Sequence, residues 1–424
     1  MKALMISANT EYINMPTMPL GLACVTEATR RAGHEAELVD LFPGHNHEET
    51  IKRSIHSFSP DIIGISVRNI DDQCMENPRF LLDQARIIIS SCRKFSSAPV
   101  VIGGAGYSIF PESALKYLGA DMGIEGEGEA CFPALLDCLQ HGRSLSGLPG
   151  LYLRDIGIQG HRAFEKALDR FHMPEMDLFS AKVYKEEGFW LPVQTRRGCP
   201  MNCSYCSTSN IEGNIIRRRS PESVVEWLAK CVEAGFHRFY FVDSIFNLPP
   251  SYALSLCNLI CEVSLDVEWR CILYPGNINE TLIKAMKNAG CSEISLGFES
   301  GCDRILKEMN KRFTRRDILR ASSITADYGI RRMGFLLLGG PGENEDSVME
   351  SLYFVDSLDL ESTMLTLGIR IYPDTKLAKT ASMEGIISHN DDLLIPKFYI
   401  VKGLQEWLKK TVDEWIKDHP DCIM

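Results

Sequence analysis

Residues 197–208 read RGCPMNCSYCST, three cysteines with three residues and then two between them. Disulfides consume thiols in pairs, and a structural zinc site takes four ligands. No second CxxC and no Cys–His pair at finger spacing follows to complete such a site. A thioredoxin-like pair needs only CxxC and different surroundings. A [4Fe-4S] cluster is commonly held by four thiolates; holding it by three leaves one iron open to another ligand. That option suits Cys199, Cys203 and Cys206 best, with coincidental packing as the competing reading.

The chain around this loop has 424 residues, enough for two or three domains, and is 45% hydrophobic and 24% charged, as an ordinary globular enzyme is. Its net charge of -11 weighs against gripping nucleic acid or an anionic membrane, since both reward a basic face. The start, MKALMISAN, lacks a signal-peptide apolar region and cleavage site, and no run is long enough to span a bilayer. A cytoplasmic location is therefore expected, with neither nucleic acid nor membrane as partner. Fifteen cysteines in a reducing compartment are mostly free thiols. Cys24, Cys92, Cys131, Cys138, Cys231, Cys257, Cys261 and Cys291 sit singly in apolar or amphipathic stretches and read as packing residues. Cys271 and Cys302 are isolated.

Within residues 2–128, KALMISAN, EAELVDL, DIIGISV, PVVIGGAG and ADMGIEGEG alternate with helical stretches. This pattern predicts an α/β fold opening with a Rossmann-like, doubly wound parallel sheet. The helix LGLACVTEATRRAGH opens after Pro19 and stops near Gly33. Ligands bind such sheets at the carboxyl ends of strands, which draws attention to Arg68 in SVRNIDDQ, to Gly103, Gly104 and Gly106 in GGAGYS, and to Gly126 and Gly128 in EGEGE. The glycines either turn tight corners or let backbone approach a bulky ligand; together the three loops favour a large planar ligand. Neither a dinucleotide GxGxxG turn nor a P-loop is present. His45 and His47 read as exposed loop residues.

Residues 141–188 read as a linker holding a small hairpin in GLPGLYLRDIGIQG. Beyond it, LPVQTRRG, FHRFYFVDSIF, VEWRCILYPG, CSEISLGFES, IRRMGFLLLGGPGEN and STMLTLGIRIYP predict six strands with intervening helices, a partial (β/α)6 TIM-type barrel over 189–385. The strand ends carry Asp243 and Ser244, Glu299 and Ser300, the run Gly339-Gly340-Pro341-Gly342, and Arg370 with Tyr372. Arg217 to Arg219 precede a helix capped by Ser220 and read as a solvated turn. In the tail, 386–424, Leu404, Trp407, Leu408, Val412 and Trp415 recur at helical spacing and predict a small C-terminal helical segment packed on the barrel.

Residues 1–140 resemble the cobalamin-binding domain that precedes many radical SAM enzymes, notably in MPLGLACVTEATRRAGHEAELVDL, DIIGISVRN, VVIGGAGYS and GIEGEGE. CxxxCxxC, with Tyr205 before its third cysteine, is similar to the signature of the radical SAM superfamily. The resemblance implies that Cys199, Cys203 and Cys206 hold a [4Fe-4S] cluster whose open iron chelates S-adenosylmethionine (SAM). It further implies SAM contacts at Tyr205, Asp243, Ser244, Glu299, Ser300 and Arg370. Cobalamin contacts are implied at Thr10, Ser66, Arg68, Gly103, Gly104, Gly106, Tyr107, Gly126, Glu127 and Gly128. Methionine-synthase-type domains ligate cobalt through a histidine after the first strand; NTEYINMPTMPLG has none, and Arg68 is implied near that face. The implied activity is methylation of an unactivated carbon in a small-molecule or peptide substrate, with flavodoxin or ferredoxin as electron donor. Radical cyclisation, ring contraction or oxidation without methyl transfer, and a cofactor-binding sensor, are the alternatives.

Overall fold

A computed structural model describes residues 1–11, 18–42, 46–179, 184, 189–276 and 278–424. The chain divides into two compact units, one of Met1–Asp72, Arg79–Phe189 and Asn210–Glu212, the other of Gln73–Pro78, Trp190–Ser209 and Gly213–Met424.

In the first unit, β1 (Lys2–Ser7), β2 (Glu35–Asp40), β3 (Ile62–Ser66), β4 (Val100–Gly103) and β5 (Met122–Ile124) form a parallel sheet in the order 2-1-3-4-5. The helices are α1 (Leu20–Arg31), α2 (His47–Phe58), α3 (Leu82–Phe95), α4 (Ala105–Ile109), α5 (Pro111–Leu118) and α6 (Gly128–Gln140). α1 packs with α6 and α2 with α3, so the strands are covered on both faces and read as continuous apolar runs. Met5, Ile62, Phe132 and Leu135 belong to the core beneath α1 and α6. The hairpin β6 (Leu151–Leu153) and β7 (Gly157–Ile158), inside the segment read as a linker, adds to the edge of this sheet through antiparallel pairing of β6 with β5. His47 opens α2 half-buried; His45 lies outside the described residues.

The glycines after β4 have a packing role that the sequence pattern did not reveal. Gly104 sits at φ +100, where a Cβ would come within 2.6 Å of the Val67 carbonyl oxygen. A Cβ on Gly106 would meet the Arg68 carbonyl at 2.9 Å. Both glycines therefore let the loop after β4 close on the backbone after β3. The Ser108 hydroxyl then accepts the Gly126 N–H at 2.9 Å, joining the loops after β4 and β5.

In the second unit, β8 (Leu191–Val193), β11 (Arg238–Phe241), β12 (Glu268–Leu273), β13 (Cys291–Glu299), β14 (Arg331–Leu338) and β15 (Ser362–Leu367) lie side by side in chain order, all parallel. These are the six expected barrel strands. A seventh, β18 (Cys422–Ile423), pairs parallel to β15 at the open edge; two residues carry no periodicity by which it could be foreseen. Two short ribbons complete the unit: β9 (Arg196–Arg197) with β10 (Arg217–Arg218), and β16 (Ile369–Arg370) with β17 (Phe398–Tyr399). Alternate residues of β12, Trp269, Cys271 and Leu273, are buried. The Trp269 ring lies 5.0 Å from both Phe241 and Phe246.

Three sequence expectations are corrected. Cys261 is exposed and Cys138 only half-buried, whereas the other six cysteines read as packing residues are buried. Arg217 and Arg219 are buried rather than solvated, because pairing with β9 draws Arg217 into a ribbon. The C-terminal helix, Gln405–Trp415, buries Leu408 and Val412 while Trp407 and Trp415 stay half-exposed. Ser220 does cap the helix Pro221–Glu233, accepting the Ser223 N–H. Among the described residues no helix is long and apolar enough to cross a membrane.

If the glycine at 104 serves packing, Gly104→Ala destabilises the chain before any ligand is added, by about 1–3 kcal/mol for the strained backbone. Thermal unfolding of the cofactor-free protein checks this; an unchanged midpoint would return the glycine to ligand approach alone.

Candidate active site

The cysteine loop leaves the β9–β10 ribbon at Gly198, where glycine is required twice over, by a φ of +94 and because a Cβ there would strike the Ile215 carbonyl. Cys199 N–H donates to Gly213 O at 3.0 Å and Cys206 N–H to Cys203 O at 3.3 Å. The Thr208 N–H points at the Cys206 sulfur, 3.5 Å away. All three thiols are half-buried. Burial pushes the Cys203 thiol up to about 11, Lys311 pulls it back, and Cys206 and Cys199 raise it further. The Cys203 thiol therefore resists ionising unless a cation joins the loop.

Among the described residues no three His, Cys, Asp or Glu side chains converge as ligands of a single ion. The donor set, three thiols on one loop beside a buried cation, suits a polynuclear group of net negative charge.

Tyr205 and Glu299 come together. The Tyr205 hydroxyl lies 3.0 Å from Glu299 Oε1, and burial, followed by the Glu299 charge, holds its pKa well above the usual phenol range. Glu299 ends β13 at φ +67, a left-handed conformation uncommon for glutamate, next to a register shift between β13 and β14. Between them sits Lys311, unforeseen in the sequence because KEMNKRF offers several cations and nothing marks one as buried. Its side chain is 7% exposed, and its Nζ donates to Tyr205 Oη and Gly297 O at 3.1 Å each and lies 3.3 Å from Glu299 Oε1. Burial works against its charge, but Glu299 and Cys203 outweigh it and raise the pKa.

The remaining implied SAM contacts are placed differently. Asp243 is fully buried; it accepts Thr195 N–H at 2.7 Å, Thr195 Oγ1–H at 2.6 Å and Arg196 N–H at 3.0 Å, and pairs with Arg196 Nε at 3.2 Å. Its carboxylate is spent on the β8–β9 corner and is not free for a ligand. Ser300 is likewise buried, against Ser351 at 3.0 Å and the Cys302 N–H at 3.1 Å. Arg370 is buried and donates to the carbonyls of Ile371 and Leu393 at 2.6 and 2.9 Å, so part of its fork braces backbone. Ser244 stays half-buried at the end of β11.

The run Gly339–Gly342 holds a further group that sequence reasoning passed over. Glu343 is buried; its Oε2 accepts the N–H groups of Gly339 and, at 2.9 Å, Gly340, while Oε1 has no hydrogen-bond partner among the described residues. Burial pushes this carboxyl up to about 7 against those two N–H groups.

In the first unit, the carboxyl ends of β1 and β3 flank a crevice lined by Asn9, Thr10, Val67, Arg68, Asn69 and Gln84, among others. This is the point at which the strand order reverses, where open α/β sheets bind ligands. Thr10 and Ser66 are half-buried and Arg68 is exposed. Asn9 Nδ2 is buried there without a partner, an amide donor that would suit an amide-bearing ligand such as a corrin. Gly103 makes only ordinary contact with Ile124 O, Gly126 adopts φ +87, and Gly128 lets α6 close on Val25. The Tyr107 side chain is fully buried, its hydroxyl without a hydrogen-bond partner among the described residues, and Glu127 accepts the Glu165 N–H at 2.9 Å.

These two units define a class, an iron–sulfur-type cysteine loop on a parallel barrel sheet joined in one chain to a flavodoxin-like sheet. Residues 193–355 match the model of the Radical SAM superfamily and residues 6–136 that of the B12 binding domain. The chain belongs to the radical SAM enzymes that carry a B12 binding domain. It is 28% identical over 398 residues to an uncharacterized methyltransferase of Pyrococcus horikoshii, covering 91% of this chain and 84% of the relative. With the tryptophan 2-C-methyltransferase of Streptomyces laurentii the identity is 25% over 438 residues, covering 88% and 73%. The fold is similar to that of the radical SAM methyltransferase TsrM from Kitasatospora setae, solved with tryptophan and a SAM analogue bound, at TM-score 0.90 and 22% identity over 100% of this chain and 90% of that one. The cobalamin-dependent radical SAM enzyme OxsB aligns at TM-score 0.79 and 16% identity, over 98% and 66%.

Removing one partner of the buried Asp243–Arg196 pair leaves an uncompensated charge, so Asp243→Asn is expected to cost about 3–5 kcal/mol in urea unfolding. For Glu343 the folded chain keeps its proton above the pH at which the unfolded chain releases it. The contribution of Glu343 to stability is therefore fully present below about 4.5 and is lost as pH rises through about 7, by about 3 kcal/mol. Comparing the parent with Glu343→Gln across that window should show the slope reduced in the variant.

Proposed function

We propose that this chain is a cobalamin-dependent radical SAM methyltransferase that places a methyl group on a carbon of a small-molecule substrate. The observation that carries this reading is the three-thiol loop, Cys199, Cys203 and Cys206, at the barrel unit of a chain whose other unit presents an amide- and arginine-lined crevice at the β1/β3 reversal. The methyltransferase relatives in sequence support the reaction type, and TsrM, solved with cobalamin and a [4Fe-4S] cluster, has the same fold.

When bound, the cluster, SAM and cobalamin supply an electron, a methyl source and a methyl carrier. This chain's residues hold and orient them. The three cysteines are the cluster ligands, and their incomplete count leaves room for SAM. Glu299 and Tyr205 form the polar wall beside that loop, fixed by Lys311. Asn9, Thr10 and Arg68 offer the cobalamin crevice donors, and residues 8–21 contain no histidine to ligate cobalt. A small-molecule substrate is the choice that the tryptophan-methylating relative favours.

Anaerobically reconstituted protein, given SAM labelled in its methyl group and candidate aromatic and aliphatic metabolites, should pass label into a product heavier by one methyl. Deoxyadenosine without methylated product would replace methyl transfer with another radical reaction. Cys203→Ala should reduce SAM consumption to background; retained turnover would remove the cluster from these cysteines.

A further inference from the structure

Three consecutive residues grip the cysteine loop from one side. Met309 O accepts the Ser204 N–H at 3.1 Å. Asn310 Nδ2 donates to Asn202 O at 2.6 Å, and Lys311 Nζ to Tyr205 Oη at 3.1 Å. Tyr205 stands between the second and third cysteines, so the last contact reaches into the ligand turn itself.

An ammonium has three N–H bonds, and Lys311 has an acceptor for each: Tyr205 Oη, Gly297 O and Glu299 Oε1. With 7% of its side chain exposed, and 16% of that of Glu299, neither charge is screened as a surface pair would be. A rigid, desolvated cation and a rigid anion thus lie beside three thiols. Fixed charges of this kind act on an iron–sulfur centre through its net charge, one of the levers that set reduction potential.

We infer that Lys311 and Glu299 are a fixed pair of opposed charges that sets the reduction potential of the cluster on Cys199, Cys203 and Cys206. This rests on the cluster assignment made above. Reduction adds one electron, taken from dithionite in the test and from a flavodoxin or ferredoxin in use, and makes the cluster more negative. Lys311 favours that state and Glu299 opposes it. Lys311 is a positioning residue: it holds Tyr205 and Glu299 together and supplies charge, without touching the reacting atoms.

The full chain is reconstituted anaerobically as the parent, Lys311→Met, Lys311→Arg, Glu299→Gln and the Lys311→Met/Glu299→Gln double variant. Iron and sulfide content and an EPR-monitored dithionite titration without SAM are measured for each. Lys311→Met is expected to lower the reduced-to-oxidised ratio at a given potential about tenfold, a negative shift of ~59 mV for one electron. Glu299→Gln shifts the other way, and Lys311→Arg stays near the parent. A pair that mattered only for folding would not give shifts of opposite sign. Unshifted potentials, or shifts in one direction for both variants, overturn the inference while leaving the cluster assignment intact. If Lys311→Met alone loses its cluster, the double variant is compared with Glu299→Gln, where removing the lysine strands no carboxylate; the same negative shift is expected and its absence overturns the inference. Loss of the cluster from every Lys311 variant, arginine included, assigns a structural role only and also overturns it. A parent protein that assembles no cluster would instead sink the proposed function.

Discussion

A carboxylate with no access to solvent fixes the start of the reactive loop. Asp243, at the end of β11, receives both the backbone and the hydroxyl of Thr195 and the backbone of Arg196, and pairs with the Arg196 guanidinium. Such a buried pair survives only when its hydrogen-bonding capacity is largely met; here the carboxylate's is, while Arg196 Nη2 is buried without a hydrogen-bond partner among the described residues. The guanidinium also lies over the rings of Phe246 and Tyr252, 5.2 and 4.6 Å from their centroids. The corner between β8 and β9 is thereby tied to the neighbouring strand a few residues before Cys199. The position from which the cysteine loop springs is set by the barrel, not by the loop.

From that origin the loop is held again farther along. Ser204 offers its N–H to Met309 and its carbonyl to the Leu377 N–H at 2.8 Å, so both groups of its backbone are satisfied by distant segments. The thiols are left to do chemistry because the backbone around them has none to do. A cation among them lessens the cost of thiolate formation, and its own burial is tolerable because an anion and a carbonyl oxygen meet it. Structure and electrostatics are solved by the same side chains.

Much of the architecture was legible along the chain. Five apolar runs separated by amphipathic stretches can bury both faces only as a doubly wound sheet, and six more in regular alternation form the parallel barrel unit. What escaped reading had no local signature. The hairpin of residues 151–158 was legible, but its addition to the first sheet was not, because its partner, β5, lies outside it. Cys422 and Ile423 form a strand of only two residues, and their pairing with β15 is a property of the sheet edge. Gly104 and Gly106 carried the right signal, a need for no side chain, but the object they approach is neighbouring backbone. Asp243, Ser300 and Arg370 were chosen correctly as strand-end polar residues, yet the first two turned out to be consumed by the fold and Arg370 in part.

The sequence by itself determined the thiol spacing, the absence of a histidine near the first strand, and the order of strands and helices, because these depend on covalent separation and local periodicity. Tertiary structure alone decided which polar groups remain available. Lys311 meets Tyr205 across 106 residues and Thr195 meets Asp243 across 48, and no local pattern encodes such partners. A charge is functional or structural according to burial and to who fills its hydrogen bonds, and both are settled only when distant segments close on one another.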